Sequence, residues 1–200
     1  YKGCANAIVF NEADDAYIAE LDAAGIKGAR FTRAGLGVKL DAAAFERAIG
    51  RVRELGWYVK VQPEPDGFAT GSAPYEKLQM PVIIDHMGRP DITKGLEEPT
   101  VRKVIELLKR GNFWVMLSLF EKTSKAGPPW DDVLPVARAY IEAAPDRIIW
   151  GSDWPHPVSV KQPPNEGDLL EFIYRCAPDA AERQRILVDN PAHLFGYRTT

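Results

Sequence analysis

The sequence predicts an α/β fold, a (β/α) barrel of the TIM-barrel type, with about six βα units along the chain. Three observations predict it. Short apolar runs alternate with helical patterns along all 200 residues. The runs PVIID (81–85) and IIW (148–150) are nearly continuous in apolar character, as in strands buried on both faces. Single polar residues (Arg30, His86, Ser118 and Asp153) stand at the ends of four different strands, the barrel pattern, and no glycine-rich phosphate fingerprint follows the first strand.

The elements follow in order. Gly3 to Phe10 reads as a strand, and Asp14 to Ala24 as a helix with Ile18 and Leu21 on one face and Gly25 as its stop. Ile26 to Thr32 is the second strand. Asp41 caps a helix carrying Phe45, Ile49, Val52 and Leu55 at three- and four-residue spacing, ended by Gly56. Trp57 to Gln62 is the third strand. Gln62 to Ala73, rich in Pro and Gly, is a loop, with at most a short helix near Tyr75 to Leu78. Pro81 to His86 is the fourth strand. Glu98 to Arg110 is a helix with Val101, Val104, Ile105 and Leu108 as its stripe, and Phe113 to Ser118 is the fifth strand. A loop through Gly127 leads to a helix over Asp131 to Ala144. Arg147 to Gly151 is the sixth strand, and two helices fill Asp168 to Cys176 and Asp179 to Val188. The length suits one domain over residues 1–200, with no linker.

Composition narrows the partners. The formal net charge is -3 and basic residues are scattered, which gives no electrostatic reason to expect nucleic acid or an anionic membrane. No apolar run reaches the roughly 20 residues that cross a bilayer, and no secretory signal opens the chain. Cys4 and Cys176 lack a CxxC spacing and read as thiols in a reducing cytosol, so a cytoplasmic location is expected.

Asp153, in GSDWPHP, is a carboxylate at a strand's carboxyl end, and its alternatives are a proton acceptor or a helix or turn cap. Two of the three histidines, His86 and His156, lie just past strands, where an imidazole binds a metal, orients water or polarises a carbonyl; a structural hydrogen bond is the plainer role. His193 reads as a surface or packing residue between terminal helices. Arg30 faces the barrel interior and needs an anion: Asp85 or Asp153 on the structural reading, a substrate carboxylate on the functional one. Arg33, Lys39, Arg89 and Lys122 follow strand tips. Each alone is a solvated charge, and together they suit a substrate bearing carboxylates. The chain has no Gly-x-Ser-x-Gly elbow, P-loop or His-Glu-x-x-His motif, which leaves water-based hydrolysis with Asp153 as base.

VIIDHMGRPDITKG (82–95), GPPW (127–130) with DVLPVARAYIEAAPDRIIWGSDWPHP (132–157), and ILVDNPAHLFGY (186–197) together resemble the amidohydrolase superfamily, nearest to its 2-pyrone-4,6-dicarboxylate lactonase branch. The resemblance covers nearly the whole chain. It implies a (β/α)8 barrel in which Asp153 activates water, His86 is the later-strand histidine, His156 belongs to the aspartate motif and Arg30 grips a substrate carboxylate. Lys122 stands where the branch has a substrate-binding arginine, and Arg33 and Lys39 stand in for a second; Ser118 and Arg89 complete the expected binding set. The family's first-strand His-x-His pair is missing, so matching strands in order makes the first strand here the family's third, and an N-terminally truncated sequence, an incomplete (β/α)8 barrel of about six βα units, is expected.

The resulting expectation is a cytoplasmic hydrolase opening a small carboxylated lactone, of undetermined oligomeric state, with no nucleic-acid or membrane partner. It needs either no cofactor or one divalent metal, zinc or manganese, which His86 and Asp153 would ligate. The alternatives are a metal-dependent decarboxylase of the same superfamily and a catalytically inactive or partner-completed domain.

Overall fold

The computed structural model of the protein describes residues 5–8, 14–32, 42–156 and 163–197. Six strands, β1 (Ala5–Ile8), β2 (Ile26–Thr32), β3 (Tyr58–Gln62), β4 (Val82–Ile84), β5 (Phe113–Leu117) and β6 (Ile148–Trp150), form one sheet in chain order. Every neighbouring pair is parallel. Strand order equal to chain order means each crossover steps the same way round. That is the winding of a barrel; a doubly wound sheet reverses its order part-way. The sheet is a half-barrel of six parallel strands.

The longer crossover helices are α1 (Asp15–Ala23), α2 (Ala42–Glu54), α5 (Pro99–Leu108), α7 (Leu134–Ala143) and α8 (Glu166–Cys176). One-turn helices α3 (Phe68–Gly71), α4 (Ala73–Glu76) and α6 (Phe120–Thr123) lie among the loops, and α9 (Ala180–Gln184) and α10 (Asn190–Phe195) end the described chain. No described helix is long and apolar enough to cross a membrane.

From β3 to β6 residues alternate between the two faces of the sheet. Val59, Val61, Val82, Ile84, Phe113, Val115, Leu117 and Ile148 join the helices' core, with Ile49, Val52, Val104, Leu107 and Phe172. The opposite set, Tyr58, Ile83, Trp114 and Ile149, forms a second cluster closed by Leu194 and Phe195 of α10. Phe195 packs on Tyr58 at 5.3 Å and His193 stacks on Trp114 at 6.1 Å. α10 therefore plugs the inner face near the strands' amino ends. The same alternation, carried one layer toward the carboxyl ends, turns Arg30, Lys60 and Asp85 inward. The Tyr58 ring fits because β2 has a glycine beside it: a Cβ on Gly28 would stand 2.2 Å from Tyr58 Cε2.

Several expected boundaries shift for identifiable reasons. The segment read as a loop after Gln62 contains the helical turn α3, because Phe68 is buried and anchors it. The helix expected from Asp131 begins at Leu134. The Asp132 carboxylate is instead occupied upstream, accepting from Ser124 Oγ and from the amides of Lys125 and Ala126. The last predicted helix ends at Gln184 and continues as one π-helical turn, Arg185–Asp189. His193 lies on a helix rather than between helices. The expected cap Asp41, the rim residues Arg33 and Lys39, Cys4 and the outer parts of the first strand lie outside the described residues.

Candidate active site

The site begins at the carboxyl end of β4. Asp85 is buried, and its side chain accepts from the amide of His86 at 3.1 Å. The chain then turns through three non-glycine residues in the left-handed region: His86 (φ 52), Met87 (φ 55) and Arg89 (φ 53). Each costs on the order of 1–2 kcal/mol. The turn is held by the Arg89 amide donating to His86 O at 2.8 Å and by the Tyr140 hydroxyl of α7 donating to Met87 O at 3.2 Å.

That turn places the His86 ring. Nδ1 lies 3.0 Å from Ser118 Oγ, just past β5; Nε2 lies 3.5 Å from Asp85 Oδ2 and 4.0 Å from Asp153 Oδ1. Burial dominates and lowers the imidazole's pKa below its ordinary value; Asp85 and Asp153 oppose the shift, and Arg89 and Lys60 add to it. With carboxylates on the Nε2 side and a hydroxyl on the Nδ1 side, the neutral ring carries its proton on Nε2 and accepts from Ser118.

Arg30 pairs with Asp85: its Nη2 stands 3.3 Å from Asp85 Oδ2. Of the two structural partners expected for this guanidinium, Asp85 is the one beside it. Lys60 of β3, next to Arg30 in register, reaches the same oxygen at 3.3 Å. Lys60 was not singled out in the sequence. A lysine in the alternating run WYVKVQ reads as solvent-facing, and only inward alternation shared with Arg30 could have revealed it.

Asp153 follows β6 in the left-handed region (φ 66) and sits at the same end of the sheet. Its side chain caps no described helix. Lys122 Nζ stands 3.8 Å from Oδ2, and the nearest imidazole is that of His86. His156 is buried, with Nε2 3.2 Å from Glu166 Oε1 at the start of α8. Glu121 of α6, also not singled out in the sequence, lies beside Asp153 and His156. Burial raises the pKa of the Glu121 carboxyl above its ordinary value.

Next to these groups opens a cavity of about 380 Å³, with Arg89, Lys122 and Lys125 among its walls, together with Asp66, Asp91 and Leu119. It shares Lys122 with the Asp153 centre, while Asp153, His86 and Arg30 do not line it. Arg89 Nε and Lys122 Nζ are buried without a hydrogen-bond partner. The structure thus brings Arg30, His86, Ser118, Lys122, Asp153 and His156 to one end of the sheet, and Arg89 to the cavity beside them.

His86 and Asp153, the expected ligands if a metal is bound, face each other across the site. His86 Nε2 and Asp153 Oδ1 are two donors 4.0 Å apart, and Asp85, 3.5 Å from the same Nε2, also faces Arg30 and Lys60.

The family model described as amidohydrolase matches residues 2–197. The chain belongs to the amidohydrolase family. It is 40% identical over 182 residues to the 4-sulfomuconolactone hydrolase of Rhizobium radiobacter, an overlap covering 88% of this chain and 60% of that protein. Over 199 residues it is 34% identical to the 2-pyrone-4,6-dicarboxylate hydrolase of Comamonas testosteroni, covering 94% and 65%. Among solved structures, an Acinetobacter baumannii protein named for 2-pyrone-4,6-dicarboxylic acid hydrolysis, with citric acid bound, superposes with TM-score 0.79 at 27% identity, covering 95% of this chain and 72% of that one. The chain spans between about half and two thirds of the length of the curated relatives it matches. The amidohydrolase family and a partial barrel of six parallel strands, both expected from the sequence, are therefore found.

Proposed function

We propose that this amidohydrolase opens a cyclic ester bearing anionic substituents, with Asp153 as general base. The observation that carries this reading is the placement of the Asp153 carboxylate. It is engaged in no cap and held between His86 Nε2 and Lys122 Nζ, at 4.0 and 3.8 Å. A carboxylate so placed takes a proton from water as the water oxygen bonds to the lactone carbonyl carbon. His86, donating from Nε2, stabilises the charge growing on the carbonyl oxygen, and Ser118 holds the ring. The bond from that carbon to the ring oxygen then breaks, and the proton returns to the departing oxygen. His156 and Glu166 support the loop that carries Asp153.

Arg89 and Lys122 hold an anionic group of the substrate in the adjoining cavity, and Lys125 adds charge. Arg30 spends one nitrogen on Asp85 and keeps other donors for a second anion. Lysine acts as a point charge without arginine's planar fork, so Lys122 suits a sulfonate as well as a carboxylate. The relatives' names, one a sulfonated muconolactone and one a pyrone dicarboxylate, support this substrate class. Action in the cytoplasm is part of the reading, supported by the free, buried thiol of Cys176.

The test is turnover of 4-sulfomuconolactone and 2-pyrone-4,6-dicarboxylate by wild type and Asp153→Asn. Loss of about 10²–10⁴-fold in kcat is expected for a missing general base. Equal rates in the two proteins would remove the assignment.

A further inference from the structure

One nitrogen of His156, one oxygen of Glu121 and one of Asp153 lie within 4.8 Å of one another, the one such group of His, Cys, Asp or Glu found among the described residues. His156 is 4% exposed. The carboxylate of Glu166 can only accept, so His156 Nε2 donates to it, and in the neutral ring Nδ1 carries the lone pair. Nδ1 is buried and has no hydrogen-bond partner, and the same holds for both carboxylate oxygens of Glu121. Buried groups of this kind are normally paired, and each unpaired one costs about 1–3 kcal/mol. The native cation nearby is Lys122, whose Nζ stands 3.8 Å from Asp153 Oδ2 and makes no hydrogen bond.

We propose that Glu121, Asp153 and His156 form a divalent-cation site of the zinc type, and that its occupation inhibits the enzyme by engaging Asp153. The donor set, one imidazole and two carboxylates, is one that zinc accepts with a fourth position left for water. Glu166 supplies the outer carboxylate that commonly fixes the tautomer of a ligating histidine. Tetrahedral ligands about 2.0–2.1 Å from zinc stand about 3.3 Å apart, so the three groups, within 4.8 Å of one another, would draw inward to hold the ion. A bound dication displaces the Lys122 ammonium and leaves Asp153 unable to take a proton. The site is distinct from the His86–Asp153 pair that the sequence offered for a metal. Its inhibitory role rests on the reading of Asp153 as base, whereas its existence does not.

The full chain, stripped with a chelator, is titrated with Co²⁺ and followed by visible absorption, then challenged with Zn²⁺. A single equivalent of cobalt should produce a d–d band that zinc abolishes. Glu166→Gln should weaken binding about 10- to 100-fold. Glu121→Gln, an isosteric change that carries the test if His156→Gln does not fold, should weaken it at least as much. Glu97→Gln, at an exposed residue paired with Arg102, should leave it unchanged. No band at one equivalent, or undiminished affinity in Glu121→Gln, overturns the site. Lactone turnover is measured separately: zinc should suppress it and chelator restore it. Cobalt binding with undiminished turnover overturns the inhibitory role, while an absence of turnover on every lactone counts against the hydrolase reading and leaves the cobalt result standing.

Discussion

Asp85→Asn should destabilise the fold by more than an ordinary hydrogen-bond deletion. The Asp85 side chain is 1% exposed, and its Oδ2 faces two cations, Arg30 and Lys60, each at 3.3 Å. Removing one partner of a buried pair typically costs 3–5 kcal/mol, because the charge left behind has no counter-ion. Here Arg30 and Lys60 keep side-chain exposures of 28% and 15%, so water screens part of the loss. The retained amide oxygen also still accepts hydrogen bonds. Both corrections bring the expectation to about 2–3 kcal/mol. Urea unfolding followed by circular dichroism measures it, with a fall in midpoint at unchanged slope. In a chain of this size that corresponds to a melting shift of very roughly 4–12 °C. A second variant tests the cause. Lys60→Met in the Asp85→Asn background removes one orphaned cation and should recover part of the loss, giving a coupling of about 1–3 kcal/mol. A change below about 0.5 kcal/mol in Asp85→Asn, or strict additivity in the pair, would refute the idea that this carboxylate neutralises the inner face.

Gly28→Ala puts a Cβ 2.2 Å from the Tyr58 ring and should cost about 1–3 kcal/mol by overpacking, measured in the same urea titration; a neutral result would show that the ring moves freely. His86 is held with its pKa below the ordinary 6.5, by burial first, so the unfolded chain binds its proton more readily. Stability should therefore rise as pH rises through the window ending near 6.5 and fall on the acid side, and His86→Gln should flatten that limb. The Cys176 thiol, pushed up to about 12 by burial, should resist alkylation in the folded protein at pH 8 and react once urea unfolds it; rapid labelling without denaturant would contradict its burial.

The parallel order of the sheet was readable because each strand is a short apolar run and each crossover has its own apolar stripe. The placement of Asp153 and His86 just past strands was readable because each polar residue closely follows an apolar run. The site's inner ring was harder to read. Lys60 obeys the same alternation that marks a solvent-facing residue in an open sheet, and only curvature of the sheet turns that position inward. Glu121 sits between Phe120 and Lys122 in a single helical turn, too short to carry a periodic signal. The link from His156 to Glu166 spans ten residues, six of which, 157–162, lie outside the described structure, so no local pattern announces it. The boundary at Leu134 moved because a side chain of the expected helix is engaged upstream: Asp132 accepts from the amides of Lys125 and Ala126.

The left-handed turn at residues 86–89 has a consequence for how the molecule assembles. Its conformation is unfavourable by itself, and one of the bonds that hold it comes from Tyr140, 53 positions further along the chain. The imidazole can therefore settle only after that distant helix has been made and has docked. Fixing of the His86 ring should accordingly come late in refolding, after the sheet has formed.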